Sequence, residues 1–198
     1  MSAEPRRKWT EAEYLAMESA SDIKHEYYEG EVFVMAGASP NHDQIAGNTF
    51  ASLHSQLRKR PCRVYSSDIR LRVNVTRLYT YPDIKVVCAE PQFTSDKPQT
   101  LLNPTLIVEV LSPSTEKVDR GKKFQHYRRL ESLQEYVLIS QDNPRIERFL
   151  RQADSTWVLK EAVGLEATLE LTSIQCTLVL ADVYEKVEFE SEASPLGE

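Results

Sequence analysis

Leu106-Ile107-Val108-Glu109-Val110-Leu111 is six residues of strand-forming sequence with one carboxylate set among apolar side chains. Apolar residues at both odd and even positions describe a strand buried on both faces, as in the middle of a sheet covered by helices. Upstream, Tyr81-Pro82-Asp83-Ile84-Lys85-Val86-Val87-Cys88 repeats the pattern, with Asp83 at the start of the run behind a proline. A proline is tolerated there because the ladder does not yet need its missing N–H. A buried carboxylate without a partner is costly, so two of them call for a cation. If the two strands are neighbours, Asp83 and Glu109 converge as oxygen ligands for a shared hard divalent ion that keeps some of its waters.

Downstream, Ser112-Pro-Ser-Thr115 supplies capping hydroxyls for a helix over 116–130, with Val118, Phe124, Tyr127 and Leu130 as its apolar stripe. A strand over 135–140 follows. A strand–helix–strand crossover makes the strands at 105–111 and 135–140 parallel neighbours in a mixed sheet, an α/β arrangement.

Before the first carboxylate strand, Thr10 and Glu13 have the spacing of a capping box and open a helix over 10–19. A hairpin over 24–36 turns at Glu29-Gly30. Ile45, Phe50, Leu53 and Leu57 recur at helical spacing, giving a helix over 42–57 that Pro61 ends. Residues 63–75 alternate as one strand with an irregularity near Ser67, Leu71 and Val73 facing inward and Arg70 and Arg72 outward. A proline-containing loop spans 91–104. A hairpin over 145–151 and 156–162 and short elements at 169–171 and 176–180 complete the expected single domain, 1–185. An acidic, loosely held tail, 186–198, follows it.

At 198 residues the chain is long enough for one well-formed core, and no apolar run approaches the roughly 20 residues that span a bilayer. The N-terminal segment has basic residues without an apolar stretch behind them, so a cytoplasmic location is expected. Cys62, Cys88 and Cys176 are odd in number and widely spaced, which reads as reduced thiols rather than a disulfide framework or a zinc site. The net charge of −6 is concentrated after residue 181, where six acids face Lys186 alone. Basic clusters then stand out at Arg58, Lys59, Arg60 and Arg63, at Arg120, Lys122 and Lys123, at Arg128 and Arg129, and at Arg145, Arg148 and Arg151. Charge therefore permits a DNA partner.

Tyr81-Pro82-Asp83-Ile84, then the Glu109 strand with Ser-Pro-Ser-Thr, then Asp119-Arg-Gly-Lys-Lys-Phe-Gln-His-Tyr127 and Glu135-Tyr-Val-Leu-Ile form an ordered series. Lys24-His-Glu-Tyr-Tyr-Glu-Gly-Glu31, Ser39-Pro-Asn-His42 and Ser67-Asp68-Ile-Arg70 extend it. The series resembles the Uma family of restriction-endonuclease-like proteins, a branch of the PD-(D/E)XK nuclease superfamily. The resemblance implies a restriction-endonuclease-like core, a mixed sheet flanked by helices, with Asp83 and Glu109 as metal ligands. The superfamily's Glu-x-Lys position reads Glu109-Val110-Leu111 and has no lysine. In the Uma branch the lysine falls in the following helix, where Lys123 matches it; Lys85, on the same strand face as Asp83, is the competitor.

Glu26, before the hairpin turn, is either a further site acid or an ordinary hairpin residue. His42, at a helix start, is either a ligand or proton carrier or a polar cap, and Asp68 is comparable. The resemblance implies a magnesium- or manganese-dependent endodeoxyribonuclease, a homodimer acting on DNA. The rival readings are a nuclease fold that only binds, as a DNA-associated or protein-interaction module, and a hydrolase of small phosphate esters.

Overall fold

The strand carrying Glu109 lies near the centre of a six-stranded mixed sheet. The computed structural model describes residues 7–35, 37–95, 97–113 and 115–189. In chain order the elements begin with α1 (Glu11–Ser19), β1 (His25–Tyr28), β2 (Glu31–Val34), α2 (Pro40–Leu57), β3 (Arg63–Ser66), β4 (Leu71–Val73) and β5 (Leu78–Thr80). Then come β6 (Ile84–Val87) and β7 (Leu106–Leu111), followed by α3 (Glu116–Val118), a π-helical turn (Asp119–Lys123) and α4 (Phe124–Tyr127). The chain continues through β8 (Glu135–Ser140), β9 (Arg145–Arg151), β10 (Trp157–Val163), β11 (Thr168–Leu171), β12 (Cys176–Val179) and α5 (Leu180–Val183).

The main sheet has the order β10-β9-β8-β7-β6-β3, with β7 and β8 parallel and its other pairs antiparallel. A second sheet has the order β2-β1-β5-β4, and β11 pairs with β12. Period-two alternation sorts the central strands between two cores. Val108, Val110, Ile84 and Val86 pack on one face with Ile45, Leu53 and Leu57 of α2. Ile107, Leu111 and Val87 pack on the other with Tyr127, Leu130 and Leu133. Glu109 shares the odd-numbered face with Ile107 and Leu111, so it points toward the helical segment after β7. Tyr14 of α1 joins Tyr27 and Tyr79 in a third, aromatic cluster.

The starts of α1 and α2 follow the capping chemistry, whereas Thr115 before α3 makes no side-chain cap hydrogen bond. The Glu13 amide donates to Thr10 Oγ1 (3.2 Å) while the Thr10 amide donates to Glu13 Oε2 (2.8 Å), the reciprocal box that opens α1. Ser39 Oγ accepts from the His42 amide (3.1 Å) with Pro40 leading α2.

Several sequence expectations are corrected. Residues 63–75 do not form one strand: β3 belongs to the main sheet and β4 to the second. Arg70 faces inward at 2% exposure, donating to Thr100 Oγ1 and the Pro98 carbonyl and lying over the rings of Tyr14 and Tyr79. The helix after β7 ends at Tyr127 rather than 130, and the π turn rotates its faces, leaving Val118 42% exposed while Asp119 is buried. β5 and α5 had no counterpart among the expected elements.

Cys62 and Cys88 are joined by a disulfide, against the expectation of reduced thiols; only Cys176 is free and buried. The β3–β6 register pairs Arg63 with Val87, which brings the flanking cysteines opposite each other with Cα atoms 4.0 Å apart. Val187 and Phe189 of the expected loose tail pack against the first core. Ala36, the expected end of the hairpin, and residues 190–198 lie outside the described residues. No helix among the described residues is long and apolar enough to cross a membrane.

Candidate active site

The β6–β7 ladder pairs Ile84 with Val108, so one step further along it Asp83 meets Glu109. The Val110 amide donates to Asp83 Oδ2 (2.7 Å), and the Asp83 amide lies 3.4 Å from Glu109 Oε2. The capped first turn of α2 carries His42, whose Nε2 is 3.3 Å from Asp83 Oδ2. From the second sheet, β1 contributes Glu26, which accepts a hydrogen bond from the Thr80 hydroxyl.

The helical segment closes the group. Lys123 Nζ lies 3.1 Å from Glu26 Oε1, 3.4 Å from Glu109 Oε1 and 3.0 Å from Asp119 Oδ1. The Tyr127 hydroxyl donates to Glu109 Oε1 (2.8 Å). Behind the site, Glu18 of α1 accepts from the Tyr81 hydroxyl (2.6 Å) and the His25 amide (3.0 Å), fixing the chain beside both Asp83 and Glu26.

All five sequence candidates, Asp83, Glu109, Lys123, Glu26 and His42, therefore meet in one cluster. Lys85 lies on the same side but spends its ammonium on the carbonyls of Ser66 and Pro82, both at 2.7 Å. Asp68 is exposed and paired with Lys24 at 2.7 Å, outside the cluster. Sequence reasoning passed over Asp119, Tyr127 and Thr80 as site residues. The 119-123-127 spacing was a usable signal, since residues four apart share a helix face, but Tyr127 reads equally well as core. The basic partner of Glu109 is Lys123.

Burial drives the protonation behaviour. Glu109 is pushed up to about 8, first by desolvation and then by Asp119 and Asp83, against the pull of Lys123 and Tyr127. For Lys123, burial opposes the charge, but Glu109, Glu26 and Asp119 outweigh it and hold the ammonium well above its ordinary range. Burial likewise opposes a charged His42, yet the hydrogen bond and charge of Asp83, with Glu109 behind it, raise it. Lys85 is pushed down to about 7 by desolvation, with Glu109 and Asp83 acting against the shift.

Among the described residues no group of three or more His, Cys, Asp or Glu side chains is arranged to hold a metal ion. A cation here would rest on the Asp83–Glu109 pair, with water or substrate oxygens completing its shell, a donor set that suits magnesium or manganese.

Several residues of the basic clusters are spent inside the fold, while Arg58, Lys59, Arg63, Lys122, Arg128 and Arg129 are exposed. Arg120 pairs with Glu116 and Glu147, and Arg145 with Glu147 and Glu161. Arg148 binds the Glu170 carbonyl, Arg151 the carbonyls of residues 128, 130, 131 and 133, and Arg60 those of 174 and 175.

Residues 11–181 match the family Uma2, described as "Putative restriction endonuclease". The chain belongs to this family. "Uncharacterized protein sll1609" of Synechocystis is 38% identical over 163 residues, covering 82% of this chain and 92% of that protein. "Uncharacterized protein slr1290" of the same organism is 34% identical over 185 residues, covering 93% and 96%. A crystal structure from Anabaena variabilis, described as "a putative nuclease belonging to DUF820", superimposes with a TM-score of 0.70 at 18% identity. It covers 87% of this chain and 96% of that one. This likeness extends to the fold, a mixed α/β sheet flanked by helices, and the Uma2 match covers every residue of the cluster.

Proposed function

We propose that this Uma2 protein is a metal-dependent endodeoxyribonuclease that hydrolyses DNA phosphodiester bonds. The observation that carries the reading is the placement of Asp83, one residue before β6, with its backbone amide 3.4 Å from the carboxylate of Glu109 on the neighbouring β7, and of Lys123 3.4 Å from that carboxylate. Asp83 and Glu109 would hold magnesium or manganese, which supplies Lewis-acid polarisation of a phosphoryl oxygen and a more acidic water. Lys123 keeps its proton, so its part is fixed positive charge facing the negative charge that grows on the phosphoryl oxygens. Glu26 and Asp119 hold that ammonium in place from two sides. His42, held 3.3 Å from Asp83 and raised by that carboxylate against its own burial, would be a proton carrier beside the reacting group. A two-fold dimer would present two such sites to two antiparallel strands.

Manganese titrated calorimetrically into the parent and Asp83→Asn proteins, with plasmid cleavage alongside, tests the assignment. Binding and cleavage in the parent, both lost in the variant, are expected; a variant that binds manganese as the parent does defeats it. The commitment of so many arginines to internal partners favours a second reading, a nuclease-fold interaction module with little catalysis. Metal binding without cleavage by the parent would select it.

A further inference from the structure

The hairpin that carries Glu26 also presents an aromatic ring to solvent. Its register pairs Glu26 with Phe33 and Tyr28 with Glu31. Directly paired residues project from the same sheet face with β-carbons roughly 5 Å apart. Phe33 therefore stands beside Glu26, whose carboxylate touches Lys123 at 3.1 Å. Phe33 is 48% exposed, and every other exposed large hydrophobic side chain among the described residues is aliphatic. It is not one of the buried residues that make up the three core clusters. Folding thus gains little from an aromatic ring at this position.

The surface around it continues in kind. Tyr28, on the same hairpin face, meets the His126 ring of α4 with centroids 4.6 Å apart. Lys122, one residue from Lys123, is exposed and close enough to His126 for its charge to be felt there. Aromatic faces and cations beside a phosphoryl-transfer site form a surface on which a nucleic-acid strand can lie with bases stacked and phosphates neutralised.

We propose that Phe33 is a stacking platform for an unpaired nucleobase, with Lys122 taking an adjacent phosphate, so that binding at the site favours a single-stranded or locally unpaired stretch of nucleic acid over an intact duplex. The proposal rests on the nuclease reading. An aromatic face stacks on any base once that base is free, whereas a paired base offers only its edges in the grooves.

The test is fluorescence anisotropy of the full chain, Phe33→Ala and Phe33→Trp with labelled oligothymidylate of about 15 nucleotides and with the matching duplex, in magnesium-free buffer. Thermal melting of each variant confirms folding. The expected result is tighter binding of the single strand by the parent, roughly 5- to 150-fold weaker binding in Phe33→Ala, and recovery in Phe33→Trp. Single-strand affinity unchanged in Phe33→Ala, or reduced equally for the duplex, overturns the stacking role. If the parent still cleaves plasmid in that case, the nuclease reading survives alone. A parent that neither binds nor cleaves any nucleic acid overturns both.

Discussion

Lys123 sets the electrostatic balance of the cluster, since its single ammonium faces Glu26, Glu109 and Asp119 within 3.4 Å. Removing one partner from a buried charge group leaves the others uncompensated, which typically costs about 3 kcal/mol or more. Lys123→Met should therefore destabilise the protein by that order in denaturant titrations at neutral pH. Without the ammonium, Glu109 and Asp119, which burial already raises against the pull of Lys123, bind protons still more readily in the folded state than in the unfolded one. A raised folded-state pKa gives stability at low pH that is lost as pH rises, so the gap between variant and parent should narrow as the pH is lowered. A gap independent of pH would show that the lysine acts through packing alone.

Two helices position the cluster, and their starts and turns matter more than their lengths. The π turn Asp119–Lys123 lies between α3 and α4, and residues 119, 123 and 127, four apart along this segment, all reach the site. Helix α1, which holds Tyr81 and His25 through Glu18, depends on its capping box. Thr10→Ala should cost about 1 kcal/mol of stability in thermal or chemical melts. Glu13 is held down at about 2 by the Thr10 amide first, and then by Arg7 and the Thr10 hydroxyl. A lowered folded-state value gives stability that is present above the ordinary carboxylate range and lost as pH falls through it toward 2. The parent should lose this contribution on acidification while Glu13→Gln shows no matching loss; parallel acid titrations would refute the coupling.

In the molecule as a whole, a second buried carboxylate ties peripheral structure to the main sheet. Glu135 accepts from the amides of Thr172 (3.0 Å) and Ser173 (3.2 Å) and from both hydroxyls, and lies 3.5 Å from Arg148. Glu135→Ala should cost about 3 kcal/mol or more and speed amide exchange in β11 and β12 beyond that in β7. Uniform acceleration would mean that Glu135 supports the whole fold equally. Glu135 was legible only as the start of a strand, because its partners come from a turn nearly forty residues away. The same limit runs through the chain. Capping boxes, apolar stripes, the two carboxylate-bearing strands and the crossover that makes β7 and β8 parallel were readable, since each is written in a local pattern of period two or 3.6. Sheet order and register decided the rest: the break between β3 and β4, the inward turn of Arg70, the Cys62–Cys88 bond, and the meeting of Glu26, His42, Asp83, Glu109 and Lys123. Those contacts join side chains on different elements, and backbone pairing and packing between distant segments, to which local periodicity is blind, bring them within reach.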